Sequence, residues 1–185
     1  MNKLQHLKQL LNEMASAVLA FSGGVDSTFL LKIAHEILGE RLLAVTAISP
    51  IYPEWEIKQA KSIASELGIR HLLVENEALA NQKFIQNPPQ RCYWCKIDLY
   101  GRLKRLALEH NCAVIMDGTN ADDHTDYRPG MRATQELGIR SPLQEAGLTK
   151  DEIRQLSREI GLQTWDKPSC ACLASRFPYG QAINE

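Results

Sequence analysis

Apolar residues near the N-terminus recur every three or four positions, which predicts one apolar face of a helix. That face comprises Leu4, Leu7, Leu10, Leu11 and Met14. Residues 17–21 then form a short, wholly apolar run that stops at two glycines, a pattern typical of a buried parallel strand. The chain is therefore expected to begin with a packing helix and a first strand.

Helical and strand-like patterns continue to alternate as far as residue 74. Residues 27–38 keep helical spacing and end at Gly39, and residues 42–48 follow as a second strand. A further amphipathic pattern begins at Pro53 and ends at Gly68, after which residues 69–74 supply a third strand. This β-α-β-α-β rhythm predicts a parallel sheet.

Residues 75–91 interrupt the rhythm. They are polar and contain Asn87-Pro88-Pro89, which predicts a loop or insertion, with a short helix over residues 79–85 as the alternative. Mobility of this segment would suit a substrate lid. A helix over residues 93–110 then leads into a fourth strand at 113–117. We expect the end of that strand to lie near the end of the first.

The remaining residues are predicted from local signals. Ser141-Pro142-Leu143 is expected to be extended. Thr149 and Glu152 have the spacing of a capping box at the start of a helix over residues 150–160. Residues 166–185, which hold prolines and a cysteine pair, are expected to be irregular and functional.

Together these elements predict an α/β fold, with a doubly wound, Rossmann-like parallel sheet and helices on both faces. Such a sheet binds its ligand at the carboxyl ends of the strands, where the strand order reverses. A chain of 185 residues suits one domain of this kind, which we assign to residues 1–165. Residues 166–185 are predicted to form a separate cysteine-containing segment.

Composition and charge narrow the choice of partners. The 44% apolar and 23% charged residues are those of an ordinary globular protein. The formal net charge of -1 gives no broad positive field, so nucleic acid is not a predicted partner. Charged and amide residues interrupt the N-terminal apolar residues, which argues against a signal peptide or membrane span and favours a cytoplasmic protein.

The first strand runs into a loop suited to phosphate. Its residues are Ser22, Gly23, Gly24, Val25, Asp26 and Ser27. Adjacent glycines let phosphate oxygens approach the backbone, and the following helix directs N–H groups and its dipole toward an anion. Asp26 suits a divalent cation such as Mg²⁺, and the alternative is a simple glycine turn that Asp26 caps. No lysine follows, so this is not a Walker A loop.

This strand, loop and helix resemble the PP-loop ATP pyrophosphatases, for which SGGVDS looks like the signature. The resemblance implies an adenine nucleotide alpha hydrolase-like fold that binds ATP with Mg²⁺ and transfers AMP to a substrate oxygen. It also implies that residues 117–123 meet the nucleotide and substrate, with Gly118, Thr119 and Asp122 as contacts. From the residues alone, an Asx-type turn is the alternative for this segment.

Four of the five cysteines fall in two segments rich in Lys and Arg, RCYWCK at 91–96 and KPSCACLASR at 167–176. Because neighbouring cations lower the pKa of a thiol, these cysteines are expected to be reactive or metal-binding. Free thiols, structural zinc and an iron–sulfur cluster all fit the spacing. Cys112 precedes an apolar strand and is expected to be a core residue.

These segments resemble the ATP-dependent sacrificial sulfur transferases (LarE). That resemblance implies adenylation of a carboxylate on a nicotinate-derived mononucleotide, followed by attack of a cysteine thiolate and C–S cleavage. By its match to CLASR, Cys172 would be the nucleophile or sulfur-handling residue. The planar guanidinium groups of Arg128 and Arg176 suit a substrate phosphate or carboxylate, with an ordinary surface ion pair as the alternative for Arg128. Some relatives hold a [4Fe-4S] cluster by three cysteines, which here would be Cys92, Cys95 and Cys172.

The resemblance also implies a homo-oligomer and a small C-terminal domain beyond residue 185. Three other functions compete with sulfur transfer to a mononucleotide. An amide-forming synthetase similar to NAD synthetase needs ammonia and no thiol. A tRNA thiolation enzyme is expected to bring a basic RNA-binding module. An ATP-sensing module would bind the nucleotide without chemistry.

Overall fold

The fold is known from a computed structural model that describes residues 2–125 and 129–184. Within those residues, four parallel strands form one sheet in the order β3-β2-β1-β4, with β1 (Ala17–Ala20), β2 (Leu42–Ile48), β3 (His71–Glu75) and β4 (Val114–Met116). The helices are α1 (Lys3–Asn12), α2 (Val25–Leu38), α3 (Glu54–Glu66), α4 (Gln82–Ile85), α5 (Arg91–Glu109), α6 (Pro129–Glu136), α7 (Pro142–Glu145) and α8 (Lys150–Glu159).

Strand β1 is the centre of the sheet and the point where the strand order reverses. Ala17 pairs with Leu42 of β2 on one side and with Val114 of β4 on the other. The chain moves outward from β1 through β2 to β3 and then returns to β4 beyond β1. The ends of the first and fourth strands are therefore neighbours, as predicted, and a crevice opens between them.

Apolar side chains pack on both faces of the sheet. Ala17 and Leu19 face a core formed with α1, α2 and α8, which includes Leu7, Phe29 and Ile153. The intervening Val18 faces a second core that α5 supplies, with Tyr100 and Leu103 fully covered. Because successive residues of a strand point to opposite faces, one short apolar run serves both cores. The predicted doubly wound α/β fold is confirmed.

Most predicted elements are present, with shifted ends. Strand β3 begins at His71 because Gly68 takes a positive φ of 66° and Ile69 still donates to the Ala64 carbonyl of α3. The prediction that residues 141–143 are extended was wrong. Pro142 starts the short helix α7 instead, since proline suits the first turn of a helix and Leu143 is fully buried there.

The segment from residue 75 to 91 does not have the open character expected of a lid. It contains the 3-10 turn Ala78–Ala80 and helix α4, as the short-helix prediction anticipated. Phe84 is 2% exposed and Asn87 is fully buried, so the segment is packed against the rest of the protein.

The C-terminal half keeps its predicted capping box, in which Glu152 N–H donates to Thr149 Oγ1 and Thr149 N–H donates to Glu152 Oε2. Beyond α8 the described residues are irregular apart from the 3-10 turn Leu173–Arg176. No helix in residues 2–125 or 129–184 is long and apolar enough to cross a membrane. The division at residue 165 and a further C-terminal domain remain predictions.

Candidate functional site

A cleft of about 410 Å³ opens at the carboxyl ends of β1, β2 and β4. Its walls include the loop after β1, the turn after β4, and the start of α8. They also include the segment from Lys167 to Cys172, of which both Cys170 and Cys172 line the cleft. The structure therefore brings the predicted phosphate loop and the second cysteine segment to one site.

The loop after β1 takes a shape that requires glycine at its bend. Gly23 has φ of +72°, and a Cβ there would lie 3.2 Å from both Cα and Cβ of Ala60 in α3. Gly24 is the N-cap residue of α2, and no side chain caps that helix. Because the first N–H groups of a helix lack intrahelical acceptors, this end of α2 can bind phosphate oxygens.

Two hydroxyl groups brace the loop from within. The Oγ atoms of Ser22 and Ser27 lie 3.0 Å apart, and Ser27 Oγ also donates to the Gly24 carbonyl at 3.3 Å. Ser22, Gly24, Val25, Asp26 and Ser27 all line the cleft, whereas Gly23 forms the bend behind it. Both hydroxyl groups therefore lie at the cleft, where each can donate to an anion once it rotates away from its present partner.

Asp26 has one engaged and one unengaged carboxylate oxygen. Oδ2 accepts from Lys150 Nζ at 2.6 Å and from Asn120 Nδ2 at 3.3 Å. Oδ1 is buried and has no hydrogen-bond partner among the described residues. A buried carboxylate oxygen without a donor is the kind of ligand that Mg²⁺ prefers, so Asp26 fits the predicted metal-binding role.

Gly118 lets the end of β4 approach the phosphate loop. A Cβ on Gly118 would lie only 3.0 Å from the main-chain nitrogen of Ser27 and 3.1 Å from its Cα. Thr119 lines the cleft beside it. Asp122 instead accepts from the main-chain N–H of Lys150 at 2.7 Å, while the neighbouring Asp123 lines the cleft.

A buried carboxylate, Asp117, forms the floor of the cleft between β4 and α5. Tyr100 OH donates to it at 2.7 Å, Ser141 Oγ at 2.8 Å and the Thr119 N–H at 3.1 Å, while Lys96 Nζ lies 3.5 Å away. Burial alone would raise the pKa of the Asp117 carboxyl, but the Lys96 charge and these hydrogen bonds outweigh it and hold the pKa below its usual value. The group is therefore a fixed negative charge.

Among the described residues, three lysines line the cleft, and none of them was predicted to contact the nucleotide or the loop that binds it. Lys96 contacts Asp117, and Lys150 contacts Asp26. Lys167 Nζ donates to the Gly23 carbonyl at 2.9 Å and to Gln59 Oε1 at 2.7 Å. Partial burial lowers the pKa of Lys167. Only the tertiary structure reveals these residues, because a lysine alone in a sequence is usually a surface residue.

Cys172 lies where the C-terminal segment turns into the 3-10 turn Leu173–Arg176. Burial raises the pKa of its thiol, as does nearby Cys92, against the opposing effects of the Ser175 and Ala174 N–H groups and the Arg91 charge. Burial also raises the pKa of the Cys170 thiol. The expectation that flanking cations lower these pKa values was wrong, because desolvation of the thiolate outweighs the attraction.

The RCYWCK cysteines both lie near the start of α5, about one helical turn apart. Cys92 is exposed, whereas Cys95 packs with Cys172 in a small apolar cluster beside Ile51 and Phe84. Asn76 Nδ2 lies 3.3 Å from Cys95 Sγ. Burial is the main reason that the pKa of the Cys95 thiol is raised.

The three cysteines do not form a ready metal site. Within residues 2–125 and 129–184, no group of three or more His, Cys, Asp or Glu side chains is arranged to hold a metal ion. The arrangement of Cys92, Cys95 and Cys172 in this structure therefore does not fit the predicted cluster. Cys112 packs beside the core between the sheet and α5, as predicted.

The two predicted arginines differ in what the structure describes. Arg176 is exposed at the end of the 3-10 turn, and its charge acts on the thiol of Cys170. Arg128 lies outside the described residues. The cleft thus brings together the phosphate loop, Gly118, Thr119 and Cys172, whereas Arg176 is not among the residues that line it.

The chain is similar in sequence to known proteins. The NAD synthase family model matches residues 2–89. An uncharacterized protein of Synechocystis sp. is 46% identical over 98% of this chain and 68% of that protein. Pyridinium-3,5-bisthiocarboxylic acid mononucleotide synthase of Lactiplantibacillus plantarum is 38% identical over 94% of this chain. This chain spans 63% of the length of that synthase.

A solved structure shares the fold at much lower sequence identity. The U34-tRNA thiolase NcsA of Methanococcus maripaludis, solved with its [4Fe-4S] cluster, has a TM-score of 0.65 and 19% identity. The match covers 94% of this chain and 70% of the thiolase. At this level of identity the likeness is one of fold.

Proposed function

Because the chain belongs to the PP-loop superfamily of ATP-using enzymes, in the family of the sacrificial sulfur transferases (LarE), we propose that it is an ATP-dependent sulfur transferase. Its proposed substrate is a nicotinate-derived mononucleotide that carries a carboxylate. The product would be the corresponding thiocarboxylate. We propose that the protein acts in the cytoplasm as a homo-oligomer.

The phosphate loop supports the nucleotide half of this proposal. The triphosphate would lie on the N–H groups at the start of α2, with the hydroxyl groups of Ser22 and Ser27 as further donors. Asp26 would hold Mg²⁺ through its unengaged oxygen, and the ion would neutralise charge on the phosphates as pyrophosphate leaves. Lys150 and Lys167 line the same cleft and supply further positive charge.

Adenylation and sulfur transfer would follow in order. A carboxylate oxygen of the substrate bonds to the α-phosphorus of ATP, and pyrophosphate leaves. The Cys172 thiolate attacks the resulting acyl-adenylate at its carbonyl carbon, and AMP leaves to give a thioester. Removal of a proton from Cα of Cys172 and cleavage of its Cβ–S bond would leave a thiocarboxylate on the product and dehydroalanine in the chain.

One observation carries the proposal: the cleft that contains the phosphate loop also contains Cys172. An amide-forming synthetase would need the loop and no thiol. A single cleft that presents a nucleotide site and a cysteine instead suits a reaction in which the sulfur atom meets an activated carboxylate.

The test uses the purified protein, Mg-ATP and a pyridine carboxylate mononucleotide. We expect pyrophosphate release by both the wild type and Cys172→Ala, and thiocarboxylate only from the wild type. After turnover, mass spectrometry should find that Cys172 has lost about 34 Da, the mass of hydrogen sulfide. Cys112→Ala is the matched control, because Cys112 packs beside the core, and it should keep both activities.

Other outcomes distinguish the competing functions. An intact Cys172 together with visible cluster absorbance would replace the sacrificial scheme by sulfide delivery from a [4Fe-4S] cluster. Undiminished thiocarboxylate formation by Cys172→Ala would reject Cys172 as the sulfur source. Amide formation on addition of ammonia, equal in the wild type and Cys172→Ala, would favour an amide-forming synthetase. Absence of pyrophosphate release from the wild type would reject an adenylating enzyme for this substrate class.

A further inference from the structure

Contacts remote from the phosphate loop fix the segment that carries Cys172. The main-chain N–H of Leu173 donates to the Ile51 carbonyl at 2.8 Å, and Ala174 is 1% exposed in the apolar cluster beside it. Farther along, the Ile183 N–H donates to the Ile85 carbonyl at 2.9 Å. These contacts tie down both ends of the segment, and a polar pair fixes the part between them.

The first member of that pair is Asn87. Its side-chain nitrogen contacts the carbonyls of Phe177 at 3.3 Å, Pro178 at 2.8 Å and Gln181 at 2.9 Å. Its main-chain carbonyl accepts from the Gly180 N–H at 3.0 Å. Asn87 is fully buried and holds φ at +52°, so this side chain is committed to the C-terminal segment.

The second member is Arg91, at the start of α5. Its Nη1 donates to Asn87 Oδ1 at 2.7 Å and to the Phe177 carbonyl at 3.4 Å, and its guanidinium lies 4.7 Å from the ring centre of Tyr179. The residue is 7% exposed, and its Nε has no hydrogen-bond partner among the described residues. Burying a guanidinium with one nitrogen unsatisfied is costly, which argues for a role beyond stability.

The position of Arg91 suggests that role. It immediately precedes Cys92 in α5, and its positive charge acts on the sulfur of Cys172. The pair therefore connects the two cysteine segments through one short set of hydrogen bonds.

We propose that Asn87 and Arg91 are positioning residues for sulfur transfer, which clamp residues 177–181 against α5 so that Cys172 faces the cleft. This inference rests on the proposed function, in which Cys172 supplies the sulfur. Neither residue lines the cleft, so neither is expected to contribute to adenylation.

Asn87→Asp tests the clamp with almost no change of shape. A carboxylate accepts hydrogen bonds but donates none, so it would face three carbonyl oxygens and repel them. The matched control is Asn81→Asp, since Asn81 Oδ1 accepts from the Lys83 N–H at the start of α4 and a carboxylate can do the same. Arg91→Lys keeps the charge but loses the planar fork.

Two readouts separate positioning from general damage. Pyrophosphate release by both variants should stay within about twofold of the wild-type rate. Thiocarboxylate formation, in contrast, should fall roughly 100-fold in Asn87→Asp and about tenfold in Arg91→Lys. Iodoacetamide labelling followed by peptide mass spectrometry should show Cys172 reacting at least about threefold faster in Asn87→Asp, with Cys112 unchanged. Asn81→Asp should match the wild type in both assays.

Several results would overturn the inference. One is thiocarboxylate formation by Asn87→Asp at the wild-type rate. Another is a loss of pyrophosphate release in that variant as large as its loss of sulfur transfer. A third is labelling that accelerates equally at Cys112 and Cys172. Labelling requires no substrate, so it tests the clamp even where the wild type releases no pyrophosphate. If the wild type releases no pyrophosphate, the proposed function is rejected, and the labelling experiment alone decides whether Asn87 and Arg91 position Cys172.

Discussion

Gly118→Ala is the substitution whose effect follows most directly from the structure. Gly118 lies in the turn after β4, where the chain meets the phosphate loop, and the new Cβ would lie 3.0 Å from Ser27 N, 3.1 Å from its Cα and 3.3 Å from its Cβ. Ordinary carbon contacts begin at about 3.5 Å, so the overlap is about half an ångström. The atoms in the way belong mainly to the backbone and cannot rotate aside.

The size of the effect follows from that overlap. Forcing an extra methyl group into a packed site costs about 1–3 kcal/mol. The strain is relieved by moving the start of α2 away from β4, which displaces the N–H groups predicted to bind phosphate. We therefore expect a loss of about 1–3 kcal/mol in the free energy of unfolding and ATP binding about tenfold weaker, equivalent to about 1.4 kcal/mol.

Urea denaturation would measure the free energy of unfolding, and calorimetric titration with a non-hydrolysable ATP analogue would measure the affinity for the nucleotide. Gly101→Ala is the matched control, because nothing lies within 4 Å of a Cβ at that position of α5. Alanine is the better helix former, so this control should be more stable by about 0.5–1 kcal/mol and bind the analogue normally. Wild-type stability and affinity in Gly118→Ala would refute the proposed contact between β4 and the phosphate loop.

Three further predictions concern named side chains. Asp26→Asn should weaken ATP binding about tenfold in the presence of Mg²⁺ but only slightly in EDTA, which calorimetric titration can measure. An equal loss of ATP affinity under both conditions would contradict a metal-binding role for Asp26. Thr149→Ala should lower the free energy of unfolding, measured by urea denaturation, by about 0.5–2 kcal/mol, whereas Thr149→Ser should retain most of the wild-type stability. Wild-type stability in Thr149→Ala would show that the capping box does not stabilise the protein. The folded-state pKa of Asp117 lies below its unfolded value of about 3.9, so its stabilisation is present above that pH and is lost as pH falls through the folded pKa. Lowering the pH should therefore reduce the free energy of unfolding of the wild type more than that of Asp117→Asn. The same dependence of this free energy on pH in both proteins would refute a lowered pKa for Asp117.

Local sequence patterns predicted most of the helices and strands and the phosphate loop. The apolar run before Ser22 must be a buried strand, and the glycines that follow it can only be a tight turn into a helix. Thr149 and Glu152 likewise specify a helix start through contacts three residues apart. Each of these features depends on neighbours in the chain, so spacing and residue type suffice to predict it.

Tertiary structure decided which distant residues meet. The alternation of helices and strands implied a parallel sheet, but only the pairing of β1 with both β2 and β4 brings Gly118 against the phosphate loop. The Asn87–Arg91 pair, taken for part of a loop, acquires its contacts only when the C-terminal segment folds back over it.

The thiols show the same division. The basic residues around Cys172 favoured a low pKa, yet burial in the folded protein raises it. Desolvation depends on everything packed around a group, including segments far away in the chain, and a sequence window contains only its immediate neighbours. The sequence by itself thus made Cys172 a candidate, whereas the folded structure decided its electrostatic environment and the residues that hold it.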